Sequence, residues 1–266
     1  MKTPSQHRPR KARETKPDHP PRLGLARVLS KWGLCSRTVA AQWVRAGRVA
    51  VDGRIVRDPE APQPGLEIHI AIDGIVQQRA QRRVLMLHKK RGIVVSRADE
   101  HGRPTVFADL PQESWLAPVG RLDRASSGLL LFSNDPAWNQ RLLDPAGHLA
   151  KTYRVQIRPP LPADVLHSIA TTSVLDGRPC LPMEVRAVAC GGKTQWLEFV
   201  LREGRNRQIR RLLTAREVEV LRLIRIAFGP LSLGDLTPGS WRWLSDAEIA
   251  ELETALVSSA SNTYKI

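Results

Sequence analysis

The stretch Gly120-Arg121-Leu122-Asp123-Arg124-Ala125-Ser126-Ser127-Gly128-Leu129-Leu130-Leu131-Phe132 decides how this chain is read. A single carboxylate, Asp123, stands between two arginines and is followed by an apolar run with the character of a buried strand. A glycine at each end lets the backbone turn sharply. Two readings are open at this point. Asp123 is a reactive group held at the end of a rigid element, or the stretch is a strand-edge loop with an ordinary exposed ion pair, which stabilises little.

The flanking sequence predicts a domain of mixed strands and helices. Upstream, Val84-Leu85-Met86-Leu87-His88 reads as a strand entering the basic turn Lys89-Lys90-Arg91-Gly92, and Val94-Val95-Ser96 follows. Downstream, Asn134-Asp135-Pro136 predicts a turn and a helix start, with Trp138, Leu142 and Leu143 facing inward. Lys151–Arg158 alternates as a half-buried strand does, and Trp196–Leu201 is another strand. That strand leads to Glu203-Gly204-Arg205-Asn206-Arg207-Gln208-Ile209-Arg210-Arg211-Leu212-Leu213, where arginines crowd a helix start and Ile209, Leu212 and Leu213 share an inward face. Val220–Ile226 and Trp241–Leu244 supply further strands. Ser245-Asp246-Ala247-Glu248 fits a capping box for a last helix presenting Ile249, Leu252 and Leu256. From Ser258 the chain is expected to fray.

The N-terminal part reads differently. Residues 1–22 are rich in proline and basic side chains and lack large apolar ones, so a disordered basic tail is expected. Leu25, Val28 and Leu29 then fall at helical spacing before Gly33, and Ser36 opens a second helix presenting Val39, Ala40, Trp43 and Val44. Two short runs about Asp52-Gly53 predict a hairpin, and Glu67-Ile68-His69-Ile70 is a further short strand. The expected organisation is a tail over 1–22, a small helix-helix-sheet domain over 23–72, a linker over 73–83, a larger domain over 84–257 and a tail over 258–266.

Charge narrows the function. The 266 residues carry 41 Lys+Arg against 26 Asp+Glu, a formal charge of +15, which favours a polyanionic partner such as nucleic acid. Cys35, Cys180 and Cys190 show no metal or disulfide spacing, and the histidines show no ligand motif. His88 and His148 are read as structural. Gly191-Gly192-Lys193-Thr194 ends like a phosphate loop, but Ala187 stands where the first glycine belongs. The first residues show no apolar core of a leader and no run approaches 18 apolar residues, so a cytoplasmic protein is expected. A monomer without metal or nucleotide cofactor is expected as well.

Two resemblances add to this reading. Arg22-Leu23, Gly33-Leu34-Cys35-Ser36-Arg37 and Ala46-Gly47-Arg48-Val49-Ala50-Val51-Asp52-Gly53 make residues 22–70 similar to the S4 RNA-binding domain. Residues 84–245 resemble the catalytic domain of bacterial pseudouridine synthases of the small-subunit type, which act on ribosomal RNA. The motifs are Gly120 to Leu131, Lys151-Thr152-Tyr153, Glu203 to Arg211, and Leu223-Ile224-Arg225 with Phe228-Gly229. The resemblance implies an α+β fold whose second domain has a long mixed, mostly antiparallel sheet with flanking helices. It implies isomerisation of a flipped-out uridine to pseudouridine, without a cofactor, on ribosomal RNA as partner.

By the same resemblance Asp123 is the catalytic carboxylate, attacking the base at C6 or the sugar at C1′, or helping to expel uracil. Tyr153 lies against the uracil, Arg210 is the charge partner of Asp123, and Arg121 enters the RNA stack. Lys151, Arg205, Arg207 and Arg211, with Arg37, Arg45 and Arg48 of the first domain, are the expected RNA contacts. Arg124 has no assigned role. Lys89-Lys90-Arg91-Gly92 departs from the family's usual Lys-Pro before glycine, and Asn134-Asp135-Pro136 from its Asn-Asp-Gly. A non-catalytic RNA-binding or assembly factor, and a synthase acting on transfer RNA, are the alternatives.

Overall fold

The structure is a computed structural model that describes residues 23–63, 66–111 and 115–262, with side chains described to 258. The expected tail over 1–22 lies outside the described residues. Contacts divide the chain into two units, one of residues 23–29 and 37–78 and one of residues 30–36 and 79–262.

In the first unit, helices Leu25–Lys31 and Arg37–Arg45 accompany a four-stranded antiparallel sheet. The sheet order is 54–55, 49–51, 70–72, 75–77. Leu25, Val28, Leu29, Ala40, Val44, Val49 and Ile70 are buried, as the helical spacing anticipates. Two Asp-Gly pairs make the two tight turns. Asp52-Gly53 and Asp73-Gly74 all have positive φ, the conformation that matches the right-handed twist of the flanking strands. The second turn corrects the expected linker over 73–83, because Ile75–Gln77 continues the sheet by pairing with Ile70–Ile72. Its Ile75 and Val76 are exposed on an edge strand, so no alternation of burial marks it in the sequence.

The second unit is built on a long sheet. Its strands run in the order 184–191, 194–201, 151–158, 219–228, 127–133, 84–89, 241–243. Every neighbouring pair on this path is antiparallel except 219–228 with 127–133, so the sheet is mixed and mostly antiparallel, and the fold is α+β.

Strands 84–89 and 127–133 are buried on both faces, which explains their unbroken apolar runs. Val84, Met86, Leu129 and Leu131 enter one core with Trp138, Leu142 and Leu252. Leu85, Leu87, Leu130 and Phe132 enter another with Val106 and Leu116. A third core joins Val155, Ile157, Leu197 and Phe199 to Leu166 and Ile169 of helix Ala163–Ala170, and to Ile209, Leu212 and Leu213 of helix Gln208–Thr214.

Several elements differ from expectation. Glu184–Gly191 forms an edge strand, and Gly192-Lys193 is the turn into Thr194–Leu201, so the phosphate-loop likeness is a hairpin turn. Leu143 is exposed, because on helix Pro136–Leu143 it lies a quarter-turn beyond the Trp138–Leu142 stripe. The last helix, Asp246–Asn262, continues past Ser258, where fraying was expected. Its capping box forms as read, with Ser245 Oγ accepting from the Glu248 amide at 3.3 Å.

Gly128 is where the parallel junction closes. It pairs with Lys89 on one side and Arg225 on the other, at φ +108°. A Cβ here would overlap the Arg225 carbonyl oxygen and amide nitrogen. Gly128→Ala is therefore expected to cost about 3 kcal/mol in urea denaturation, from strain and a backbone clash together. Gly53→Ala, where nothing lies within 4 Å of an added Cβ, should cost about 1 kcal/mol, from the positive φ alone. Equal losses at the two sites would contradict this account.

Candidate active site

The Asp123 loop enters strand 127–133, and its backbone is held from beneath. Lys89, the last residue of strand 84–89, is 1% exposed. Its ammonium donates to the carbonyls of Lys90 at 2.9 Å, Asp123 at 3.1 Å and Ser126 at 2.8 Å. The Gly92 amide donates to the Arg124 carbonyl at 2.7 Å. Arg210 Nη2 donates to the Ala125 carbonyl at 3.1 Å and reaches Ser126 Oγ at 3.4 Å. Each carbonyl from Asp123 through Ser126 thus accepts a hydrogen bond, and the loop has a fixed conformation.

The carboxylate of Asp123 remains at the surface of this platform, 30% exposed, with Arg207 Nη1 at 3.3 Å from Oδ2. Arg207 sits at the N-cap of helix 208–214 in the left-handed region, φ +51°. Glu203 ties the side chains near it: one oxygen accepts from Arg205 Nε at 3.1 Å, the other from Gln208 Nε2 at 2.6 Å and the Leu181 amide at 3.3 Å. Tyr153, on strand 151–158 between Phe199 and Arg225, lines one cleft with Asp123, Ser126, Leu201 and Arg210. The mouth of the cleft is basic, lined by Arg121, Arg124, Arg205 and Arg207.

Asp123, Tyr153 and Arg210 therefore meet in one place although 87 residues separate the first from the last. The ion pair differs from expectation. Arg207 holds the carboxylate, while Arg210 faces the backbone of the same loop. Burial lowers the pKa of Arg210, the neighbouring charge of Arg207 lowers it further, and Asp123 opposes both.

The expected RNA contacts scatter. Arg121 and Arg207 are in the cleft. Arg205 also lines it, tied to Glu203, whereas Arg211 pairs with Asp176. Lys151 is 8% exposed with its ammonium 5.3 Å from the Phe228 ring centre, so it does not offer a surface contact. Burial, reinforced by the charge of Arg225, pushes its pKa down to about 8. In the first unit Arg37 and Arg45 lie on one helix beside a shallow groove with Gln42 and Glu60. Arg48 is engaged with Asp73 at 2.5 Å and stacks on Trp43 at 5.4 Å.

Lys89, Glu203 and Ser126 are the residues that sequence reasoning missed. The basic run 89–91 reads as a turn, but its first lysine completes a buried strand. The signal was positional: Lys89 lies two residues past the apolar run 84–87, in the alternation of that strand. His88 is structural, its Nδ1 2.6 Å from the Leu236 carbonyl. Among the described residues no cluster of His, Cys, Asp or Glu is placed to hold a metal, and no helix is long and apolar enough to cross a membrane.

A mixed sheet carrying an aspartate, a tyrosine and arginines in a basic cleft, in a chain that also holds a small helix-helix-sheet unit, fits an RNA-modifying class of protein. The model of RNA pseudouridylate synthases matches residues 83–215, and that of the S4 domain matches residues 23–62. The chain is 36% identical over 82% of its length to the ribosomal large subunit pseudouridine synthase B of Pasteurella multocida, spanning 65% of that relative. It is 37% identical over 84% of its length to the synthase of that name in Escherichia coli K12, spanning 80% of it. A solved pseudouridylate synthase superposes with a TM-score of 0.63 at 26% identity, over 86% of this chain and 99% of that one. The chain belongs to the RNA pseudouridylate synthase family, with an S4 domain at its N-terminal side. The relatives carry large-subunit names, where the motif resemblance had been framed on the small-subunit type.

Burial pushes the Lys89 pKa down to about 8, against the opposing charge of Asp123. An ammonium has three N–H groups for its three carbonyls and a neutral amine has two, so the loop loses a donor as pH rises through that value. Turnover is expected to fall on the alkaline side with a midpoint near 8. Lys89→Met should remove the dependence together with most of the rate, since it strands buried carbonyls at about 1–3 kcal/mol each. An alkaline limb that survives in Lys89→Met would assign it to another group.

Proposed function

We infer that this chain isomerises a uridine of large-subunit ribosomal RNA to pseudouridine. The observation that carries the reading is the single cleft uniting Asp123, Tyr153 and Arg210, with the Asp123 loop fixed at each carbonyl. The chemistry is an isomerisation, so it balances within the substrate. The N1–C1′ bond breaks, the uracil turns while bound, C5 bonds to C1′, and the C5 proton is released as N1 gains one.

Within this reading Asp123 is the catalytic carboxylate, Tyr153 lies against the base, and Arg210 fixes the loop that presents Asp123. Preorganisation of this kind lowers the barrier because the carboxylate need not be positioned during the reaction. Arg121, exposed at the cleft mouth, enters the stack the uridine leaves, offsetting the few kcal/mol of flipping. The S4 unit, the basic tail and the remaining cleft arginines contribute affinity for ribosomal RNA. The setting implied is a monomer in the cytoplasm. The relatives' names support a large-subunit target.

The test is release of tritium from large-subunit ribosomal RNA labelled at uridine C5. The wild-type chain should release one label per modified site, and Asp123→Asn should release none while binding RNA. Absence of release by the wild-type chain would refute the activity; release by Asp123→Asn would refute the role of the carboxylate.

A further inference from the structure

The pairing of Asp123 with Arg207 poses a problem for the chemistry above. A carboxylate that must meet the base or the sugar has a guanidinium 3.3 Å from it. The partners are 30% and 48% exposed, and ion pairs of that exposure are weak and exchangeable. The backbone carrying Arg207 is not exchangeable in the same way. Its φ is +51°, its carbonyl accepts from the Arg211 amide at 2.9 Å, and the side chains of nearby Arg205 and Gln208 are tied to the Glu203 carboxylate. Only the side chain is therefore at liberty to change partner.

A new partner is at hand. Arg207 shares the cleft mouth with Arg121, Arg124 and Arg205, a concentration of guanidinium groups suited to a phosphodiester. Asp123 does not need Arg207 for its position, because Lys89, Gly92 and Arg210 hold the loop through its backbone. Building on the synthase reading, we propose that Arg207 is a substrate-displaced counter-ion. It covers Asp123 in the absence of RNA and moves to a phosphate flanking the target uridine when that nucleotide enters, releasing the carboxylate for reaction. No bond is made or broken in this step; one ion pair is exchanged for another.

Exchange makes the carboxylate a competitor for RNA, and a double-mutant cycle on binding detects it. Equilibrium binding to a large-subunit ribosomal RNA fragment would be measured for the wild type, Asp123→Asn, Arg207→Gln and the double variant. Removing the carboxylate should tighten binding about two- to fivefold more when Arg207 is present than when it is glutamine, a range set by the strength of exposed ion pairs. Arg207→Gln should also lower the slope of log affinity against log salt by about 0.7, the loss of one phosphate contact on single-stranded RNA. An equal effect of Asp123→Asn in both backgrounds, or an unchanged salt slope, would overturn the exchange. Arg207→Ala serves as the second variant, with circular dichroism of each confirming that it folds. Tritium release by the wild type, run alongside, separates failure of this inference from failure of the activity itself.

Discussion

The buried ammonium of Lys89 is the constraint on which the site depends. A loop that turns sharply beside a sheet exposes carbonyls that water cannot reach, and each needs a donor. Lys89 meets three of them with one charge, on a side chain fixed at the end of a strand packed on both faces. Placing that charge in a buried position is unfavourable, as its lowered pKa records. The compensation is geometric. Strand 84–89 cannot shift without moving Lys89, and Lys89 cannot shift without releasing the Asp123 loop. Core packing and carboxylate position are in this way one property.

The same logic extends across the parallel junction. Arg225, 4% exposed, donates from Nε to the Leu129 carbonyl at 2.7 Å, while its backbone lies against Gly128 too closely for any side chain there. Lys89 from one neighbouring strand and Arg225 from the other thus pin the segment 123–129 between them. Arg210 adds a third hold from helix 208–214, at the carbonyl of Ala125. Cations are well suited to this work, because several donors on one group satisfy carbonyls whose own chain offers no partner. The sheet supplies distance, and the cations supply orientation.

What the sequence made legible follows from this division. Buried strands announce themselves through apolar runs, as at 84–87 and 129–132, and amphipathic helices through spacing, as at Ile209, Leu212 and Leu213. The meeting of Asp123, Tyr153 and Arg210 was legible only through motif resemblance, because strand order decides it and no local pattern encodes the pairing of 127–133 with 219–228. Partner choice among arginines was not legible. Arg207 and Arg210 differ by three positions on a helix start, and the one that reaches the carboxylate is the one at the N-cap in the left-handed conformation. Lys89 was hidden for a related reason, since a lysine beside two further basic residues looks solvated until the strand is seen to include it.

Net charge is the other place where sequence and structure must be weighed against each other. The formal charge of +15 is already net of every carboxylate, and the arginines that stand in one-to-one ion pairs add nothing to it. Arg154 and Arg186 share Glu198, Arg48 holds Asp73, Arg205 holds Glu203 and Arg211 holds Asp176. Such residues add little to the long-range field, because each charge is offset by a partner a few ångströms away. Arg121 and Arg124 differ: both are exposed at the cleft mouth, and no side-chain ion pair engages either among the described residues. On the proposed function, binding strength and its salt dependence follow a small set of cleft arginines, while the net charge sets the rate of encounter. Arg207 belongs to both sets in turn, which is why its side chain, and not its charge alone, decides when Asp123 is available.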